Sequence, residues 1–370
     1  MSHLDFRAAV LHTPGRPLTV TTVSGGPVKA DDVLVRVGAA SICHTDLEVL
    51  EGQLRYPLPM IPGHEVAGTV AEVGSAVHDL QLGDKVALHW NPHCGRCFYC
   101  ENGQPILCEP FSAARDAGAH FDGRTRHRIG DTPVHMLMNL GGFAEYCIVD
   151  RQSAVKLPQD MPLDCASLLG CGVMTGVGAA THIARVPFGA CVAVIGMGAV
   201  GLSAVQGARL AGAREIVAID IDPGKLDLAQ RVGATSVVAA NRADPIAVVR
   251  AASGGRGADV VIEAAGRPAS FQMSVELCRP GGQVVWLGKV DVDTSVSFRW
   301  GSLMGERRIV RSSYGGTRPS TDFPALARAY LDGRLLLDEM ISARIALDDI
   351  NRGFDALRAG QAVRTVVTFD

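Results

Sequence analysis

Four of the ten cysteines lie close together as Cys94-Gly-Arg-Cys97-Phe-Tyr-Cys100 followed by Cys108, a C-x2-C-x2-C-x7-C spacing. Four thiolates so close in sequence can close a tetrahedron around Zn2+ and leave no position for a substrate, which predicts a structural metal site. An iron–sulfur cluster is the alternative, since its cysteine runs also use two-residue gaps, although its fourth spacing and its proline pattern differ from those here. A second set is dispersed: Cys43-His44-Thr45-Asp46, then Gly63-His64-Glu65, then Cys171 between Gly170 and Gly172. Taken singly, such cysteines and histidines are ordinary core residues, and Cys147, Cys165, Cys191 and Cys278, each in an apolar run, read that way.

A different chemistry is written between Cys191 and Asp220, which reads as a strand, a glycine turn, a helix and a second strand ending in a carboxylate. Gly196 ends the apolar run and permits a sharp turn, Gly198 lets the backbone approach a pyrophosphate, and Gly201 lets the new helix pack closely; Val200 lies on the same turn. The unpaired N–H groups and positive dipole end of that helix favour a bound anion. Asp220 stands 24 residues after Gly196, where a carboxylate accepts hydrogen bonds from adenosine ribose hydroxyls and repels a 2′-phosphate. The expected dinucleotide is NAD rather than NADP.

These groups need a scaffold. A chain of 370 residues exceeds what one core usually serves, so two domains are expected. A hydrophobic content of 47% supports both cores, while 20% charged residues and a formal net charge of −3 provide no polycationic surface for nucleic acid or anionic membrane. No run of about 18 apolar residues reads as a membrane span. Ten cysteines in so long a chain are too dilute for a disulfide scaffold, and their clustering fits metal binding in a reducing compartment. A cytoplasmic protein is the expectation.

Residues 6–40 hold short β-rich runs such as Val33–Val37, and the stretch 39–74 carries its Cys, His, Asp and Glu among glycines, as functional loops do. Thr69–Val73, Lys85–His89 and Phe143–Val149 read as strands; residues 111–140, polar and without a period, read as a long surface loop; a helix is expected from about Pro162 through Thr181. From Cys191 the rhythm changes to apolar strands separated by helical segments: Cys191–Gly196, Ile216–Asp220, Ser236–Ala240, Val260–Ala265, Val284–Leu287 and Arg308–Ser312. Such Val/Ile/Ala runs fit parallel strands buried on both faces, in a doubly wound α/β sheet. An amphipathic helix near Phe323–Leu331 and a last strand Thr365–Phe369 are expected to rejoin the first domain.

Taken together these motifs resemble the zinc-dependent, medium-chain alcohol dehydrogenases: Cys43-His-Thr-Asp46, Gly63-His-Glu-Val-Ala-Gly68, the four clustered cysteines, Gly170-Cys-Gly172, the glycine turn with Asp220, and Val363-Arg-Thr365, in order across essentially the whole chain. The resemblance implies a GroES-like, β-rich catalytic domain formed by 1–172 and 315–370, with a Rossmann NAD-binding domain, 173–314, inserted between. It implies two zinc ions per chain. Cys43, His64 and Cys171 would hold the catalytic one, with Asp46 orienting His64 and Glu65 near the metal. Thr45 would hydrogen-bond the alcohol and start the proton relay. Lys225 would lie beside the adenosine ribose and Arg364 near the pyrophosphate. Trp90, Leu54, Ala113, Leu137 and Met138 fall at positions that line the substrate cleft, mainly apolar. The long 111–140 segment suggests a homodimer more than a tetramer.

Two residues depart from the pattern. His44 stands where some relatives place an arginine against the pyrophosphate, and Glu48 where many have the histidine that ends the relay. The function implied is hydride transfer between NAD(H) and a primary alcohol or aldehyde, with an aliphatic, benzylic or terpenoid side chain. The alternatives are a glutathione- or other thiol-dependent formaldehyde dehydrogenase and, from another class, a non-catalytic NAD(H)-binding or zinc-storage protein.

Overall fold

The computed structural model describes residues 4–369; residues 1–3 and 370, the outermost ends of the expected catalytic domain, lie outside them. The chain divides into two compact units. The first runs up to Cys171 and takes in Pro319–Asp332 and everything from Ile341 onward; the second is Gly172–Arg318 with Gly333–Met340. The short segment 333–340, which the sequence assigned to the catalytic domain, goes with the second unit because Gln206 clasps it: its Oε1 accepts from the Leu336 N–H (2.7 Å) and its Nε2 donates to the Leu336 carbonyl (3.1 Å).

In the second unit six parallel strands stand in the order Ser236–Ala239, Glu215–Asp220, Cys191–Ile195, Ala258–Glu263, Cys278–Trp286, Arg308–Arg311. The chain starts in the middle, winds out one way, then crosses back and winds out the other, which is the Rossmann order. Its direction reverses between Cys191–Ile195 and Ala258–Glu263, and the crevice beyond their carboxyl ends is where such sheets bind ligands. Val192, Val194, Ile216, Val217, Val261 and Ile262 are buried on a sheet that helices cover, and each such side chain contributes roughly 1.5–3 kcal/mol of hydrophobic stabilisation. Two of the helices begin in the same way, with Asp222 and Asp244 capping helices that carry proline in their first turn, Pro223–Val232 and Pro245–Ala252.

The first unit is built on mainly antiparallel sheets of seven and five strands, each with one parallel pair. The long strand Asp32–Ser41 is the spine of the larger, pairing with Glu65–Val73, with Tyr146–Asp150 and with the chain's last strand Arg364–Thr368. Pairing Val366 with Ser41 carries residues near the C-terminus to the loop that begins at Ile42. Among the described residues no single helix is long and apolar enough to cross a membrane.

Two expectations need correcting. Residues 111–140 are not a loop: Glu109–Asp116 is a helix, and His127–Ile129 and Thr132–Met136 form an antiparallel hairpin that adds to the smaller sheet. Strands of three to five residues with one buried face are too short to show a period, and the helix starts from Cys108 rather than from a Ser, Asp or Asn cap. Nor is there one helix from Pro162 to Thr181. Leu163–Ser167 tightens into the 3-10 turn Leu168–Gly170, and Cys171 (φ −144°, ψ −75°) leaves the helical path before Gly172–Gly178 begins. A Cβ at residue 170 would come within 2.9 Å of the Leu88 carbonyl oxygen, so Gly170 lets the turn press on the sheet and Cys171 breaks the helix there.

Candidate active site

The helix His44–Leu50 begins at Cys43, and its third residue, Asp46, turns a fully buried carboxylate back toward the start. Asp46 Oδ2 accepts from the Cys43 N–H, and Oδ1 accepts from the Gly63 N–H and from His64 Nδ1, each at 3.0 Å. Gly63 reaches this carboxylate with φ of +97°, and a Cβ there would meet the Phe143 nitrogen at 2.6 Å, so no other residue fits. With Nδ1–H donated to Asp46, His64 is held with Nε2 among the donors of Cys43, Glu65 and Cys171, where it can offer a lone pair to a metal once it carries no proton.

One donor atom from each of Cys43, His64, Glu65 and Cys171 lies within 4.8 Å of the others. The Cys43 thiol is held well below its usual range, first by the hydrogen bond from Cys171 and then, against burial, by Arg364 and His64. The same bond pushes Cys171 up. Two thiols sharing one proton beside a locked imidazole form a donor set that a tetrahedral Zn2+ fits, with a fourth position available for water or substrate. Arg364 Nη2 lies 3.0 Å from Glu65 Oε1 and 3.8 Å from Cys43 Sγ, buried at 6% exposure. Sequence alone did not show this ion pair, because it depends on the last strand pairing with the Asp32–Ser41 spine. Burial pushes the Glu65 carboxyl up to about 8 even so, and the charges around Arg364 outweigh burial and hold it protonated.

The relay candidates share the same helix. Thr45 is buried, while His44 is exposed and Glu48, one turn further on, is half-buried. Of the expected pocket residues, Trp90 and Leu137 are buried, Leu54 and Met138 partly so, and Ala113 is exposed on the helix Glu109–Asp116, which packs on the turn Leu137–Asn139. Met138 and its neighbour Asn139 both hold positive φ, 51° and 63°, strain of the kind that persists where the surroundings dictate the backbone, often beside a site. Sequence reasoning missed Tyr56. Its hydroxyl is pushed up to about 12 by burial, in the field of Arg115, Asp116 and Asp46; no motif marks it.

Cys94, Cys97, Cys100 and Cys108 also bring their sulfurs within 4.8 Å of one another. The Cys94 N–H points at Cys108 Sγ, at 3.3 Å. Cys97 is lowered to about 6, first by the Cys100 N–H, while burial and the neighbouring thiol push Cys100 up to about 12. The set is closed, and no backbone group from another segment is needed to complete it.

In the second unit the glycine turn fits a dinucleotide pyrophosphate. Gly196 holds φ +90°, where a Cβ would meet Ala265 N at 2.7 Å; a Cβ on Gly201 would meet the Gly196 oxygen at 1.7 Å. At Gly198 a Cβ would meet nothing within 4 Å among the described residues, and its φ of −75° suits any residue. Neither packing nor backbone requires a glycine there, which leaves the close approach of a ligand at the start of helix Ala199–Leu210, where Val200 is half-buried. Asp220 has an added role: Oδ2 accepts from the Met197 N–H at 2.5 Å and Oδ1 from Ile221 and Asp222, so it also holds the turn. Lys225 lies in the first turn of the next helix, its N–H on Asp222.

Comparison with known proteins agrees with this geometry. Residues 29–159 match the alcohol dehydrogenase GroES-like domain and residues 199–332 the zinc-binding dehydrogenase domain. The chain is 35% identical to an S-(hydroxymethyl)glutathione dehydrogenase of Escherichia coli over 98% of its own length and 99% of that protein's. Its fold superposes on benzyl alcohol dehydrogenase from Acinetobacter calcoaceticus with a TM-score of 0.93 at 30% identity, covering 99% and 100% of the two chains. A Sinorhizobium meliloti structure bound to NADP is similar at TM-score 0.83 and 31% identity, covering 100% of each chain. A GroES-like unit bearing both cysteine sets and a Rossmann unit bearing the glycine turn, matched in both halves by these domain models, place the chain in the zinc-dependent medium-chain alcohol dehydrogenase family.

Proposed function

We propose that the enzyme transfers hydride between NAD(H) and a primary alcohol or aldehyde whose side chain is apolar: aliphatic, benzylic or terpenoid. The observation that carries this reading is the convergence of Cys43, His64 and Cys171 with Asp46 fixing the imidazole tautomer. Zn2+ held there would lower the proton affinity of a bound hydroxyl, as it takes water from about 15.7 to about 7, and NAD would accept the hydride. The chain's own residues position and deprotonate. Thr45 accepts the alcohol's proton path at the start of the helix, and Glu48 is the half-buried exit toward water three residues on. Gly198 and the helix behind it cradle the pyrophosphate, Asp220 selects NAD by charge, and Lys225 on the following helix supplies a cation for the adenosine end. Trp90 and Leu137, both buried, support an apolar cleft.

Two zinc ions per chain, a homodimer and a cytoplasmic location complete the reading. It is tested by steady-state oxidation of an alcohol panel with NAD and with NADP. Benzyl alcohol and medium aliphatic alcohols should turn over with NAD, and loss of turnover on zinc removal should be restored by Zn2+ alone. Inactivity toward all of them refutes it. The 35% identity to S-(hydroxymethyl)glutathione dehydrogenase favours a second reading, in which a thiol adduct of formaldehyde is the substrate. Formaldehyde oxidation that appears only with glutathione present decides for it.

A further inference from the structure

We infer that the first unit carries a further metal site, separate from both cysteine sets, in which Asp32, His120 and Asp150 bind a divalent first-row cation such as Zn2+. Asp32 opens the spine strand and Asp150 ends its neighbour, and the antiparallel register sets the two directly opposite one another. Like charges so placed repel unless something between them compensates. His120 comes from the turn after helix Glu109–Asp116, its N–H on the Arg124 carbonyl (3.1 Å) and its carbonyl on the Gly123 N–H (2.8 Å). Its Nδ1 stands 3.6 Å from Asp150 Oδ2 and 4.0 Å from Asp32 Oδ1, too far for hydrogen bonds.

All three residues are at least nine-tenths buried, and their donor atoms lie within 4.8 Å of one another. His120 Nδ1, His120 Nε2 and Asp150 Oδ2 have no hydrogen-bond partner among the described residues. Buried polar atoms normally have one, so a polar species between them is called for. Ligands at about 2.0–2.2 Å from a tetrahedral Zn2+ stand about 3.3–3.6 Å apart, so a slight contraction closes the three donors on a cation. The charges agree. Arg126 donates Nε to Asp32 Oδ2 (2.7 Å) and Nη2, more weakly, to Oδ1 (3.3 Å), and it is itself balanced by Asp122, whose outer side meets the Lys29 ammonium. Asp32 Oδ1, the oxygen facing His120, is therefore the less committed one. Two carboxylates and one imidazole suit a borderline cation better than Mg2+ or Ca2+, which want more oxygens. The ion would pin the turn 117–126 to the strand ends that frame the spine.

The test is the metal content of the whole enzyme after dialysis at on the order of 10 μM free Zn2+. Wild type should retain one equivalent more than His120→Asn and Asp150→Asn. No extra equivalent in wild type, as when a protonated His120 alone bridges the carboxylates, overturns the proposal, as does an extra equivalent that survives both substitutions. Cobalt titration of wild type decides even if the variants do not fold. The added equivalent should bring no thiolate-to-cobalt absorption, whereas the cysteine sites report themselves by that band, and a thiolate band on the added equivalent refutes the assignment.

Discussion

Replacing Asp46 by asparagine should loosen the catalytic metal without disturbing the cysteine lobe. The carboxylate accepts three hydrogen bonds at 3.0 Å, two on Oδ1 and one on Oδ2. Asparagine can keep its oxygen where Oδ1 was, holding Gly63 and His64, but its NH2 then faces the Cys43 N–H, donor against donor. A buried donor left unpaired costs about 1–3 kcal/mol. The lost negative charge also makes His64 a poorer ligand, and changes behind a metal-binding histidine typically cost about 10–100-fold in metal affinity, or about 1.4–2.7 kcal/mol. Both effects fall on one site. Asp46→Asn dialysed against graded zinc buffers should lose one zinc at a free concentration about 10–100-fold higher than wild type does, while the zinc in Cys94, Cys97, Cys100 and Cys108 stays. A folded Asp46→Asn protein with wild-type zinc affinity at both sites would show that His64 is aligned without Asp46.

Cys171→Ala should abolish turnover while circular dichroism shows a folded chain, whereas Cys97→Ala should lower the melting temperature or solubility, since a closed structural site contributes folding energy. Asp220→Gly should raise the ratio of NADP to NAD use in steady-state kinetics, with weaker binding of either cofactor because the Met197 N–H loses its acceptor; a wild type that already prefers NADP overturns the reading of that carboxylate. Buried His89 is lowered to about 4 by desolvation while its ring nitrogen meets the Gln152 carbonyl. The unfolded chain takes up a proton below about 6.5 that the native state refuses until about 4, so stability falls over that window, by about 3 kcal/mol from this group. Urea midpoints of His89→Gln measured between pH 7 and 4 should fall less steeply than those of wild type.

What could be read from the chain itself was whatever is local. The four cysteines from Cys94 to Cys108 meet within one short segment of chain, and the glycine turn completes its geometry between Gly196 and Asp220, so spacing alone exposed both. The six Rossmann strands were legible for a related reason: a strand buried on both faces is apolar at every position, as in Cys191–Ile195. The antiparallel unit hides its pattern. Its hairpin His127–Met136 has strands of three and five residues, with a proline in one of them, and nothing local announces that they add to a sheet.

The partners that tune the catalytic site are non-local, and this is why motif reading stopped short of them. Arg364 looked like a cofactor residue because only its position near the end of the chain was visible; the structure shows its guanidinium on Glu65, beside Cys43. Removing Arg364 takes away the group that holds the Glu65 carboxyl down against burial, so Arg364 cannot be varied for a cofactor role without disturbing Glu65 as well. The Glu65→Gln, Arg364→Gln double substitution removes both ionisable groups, and comparison with Arg364→Gln alone separates the two contributions. Any effect on NAD affinity that remains in the double variant belongs to the cofactor, and whatever it restores belongs to the pair.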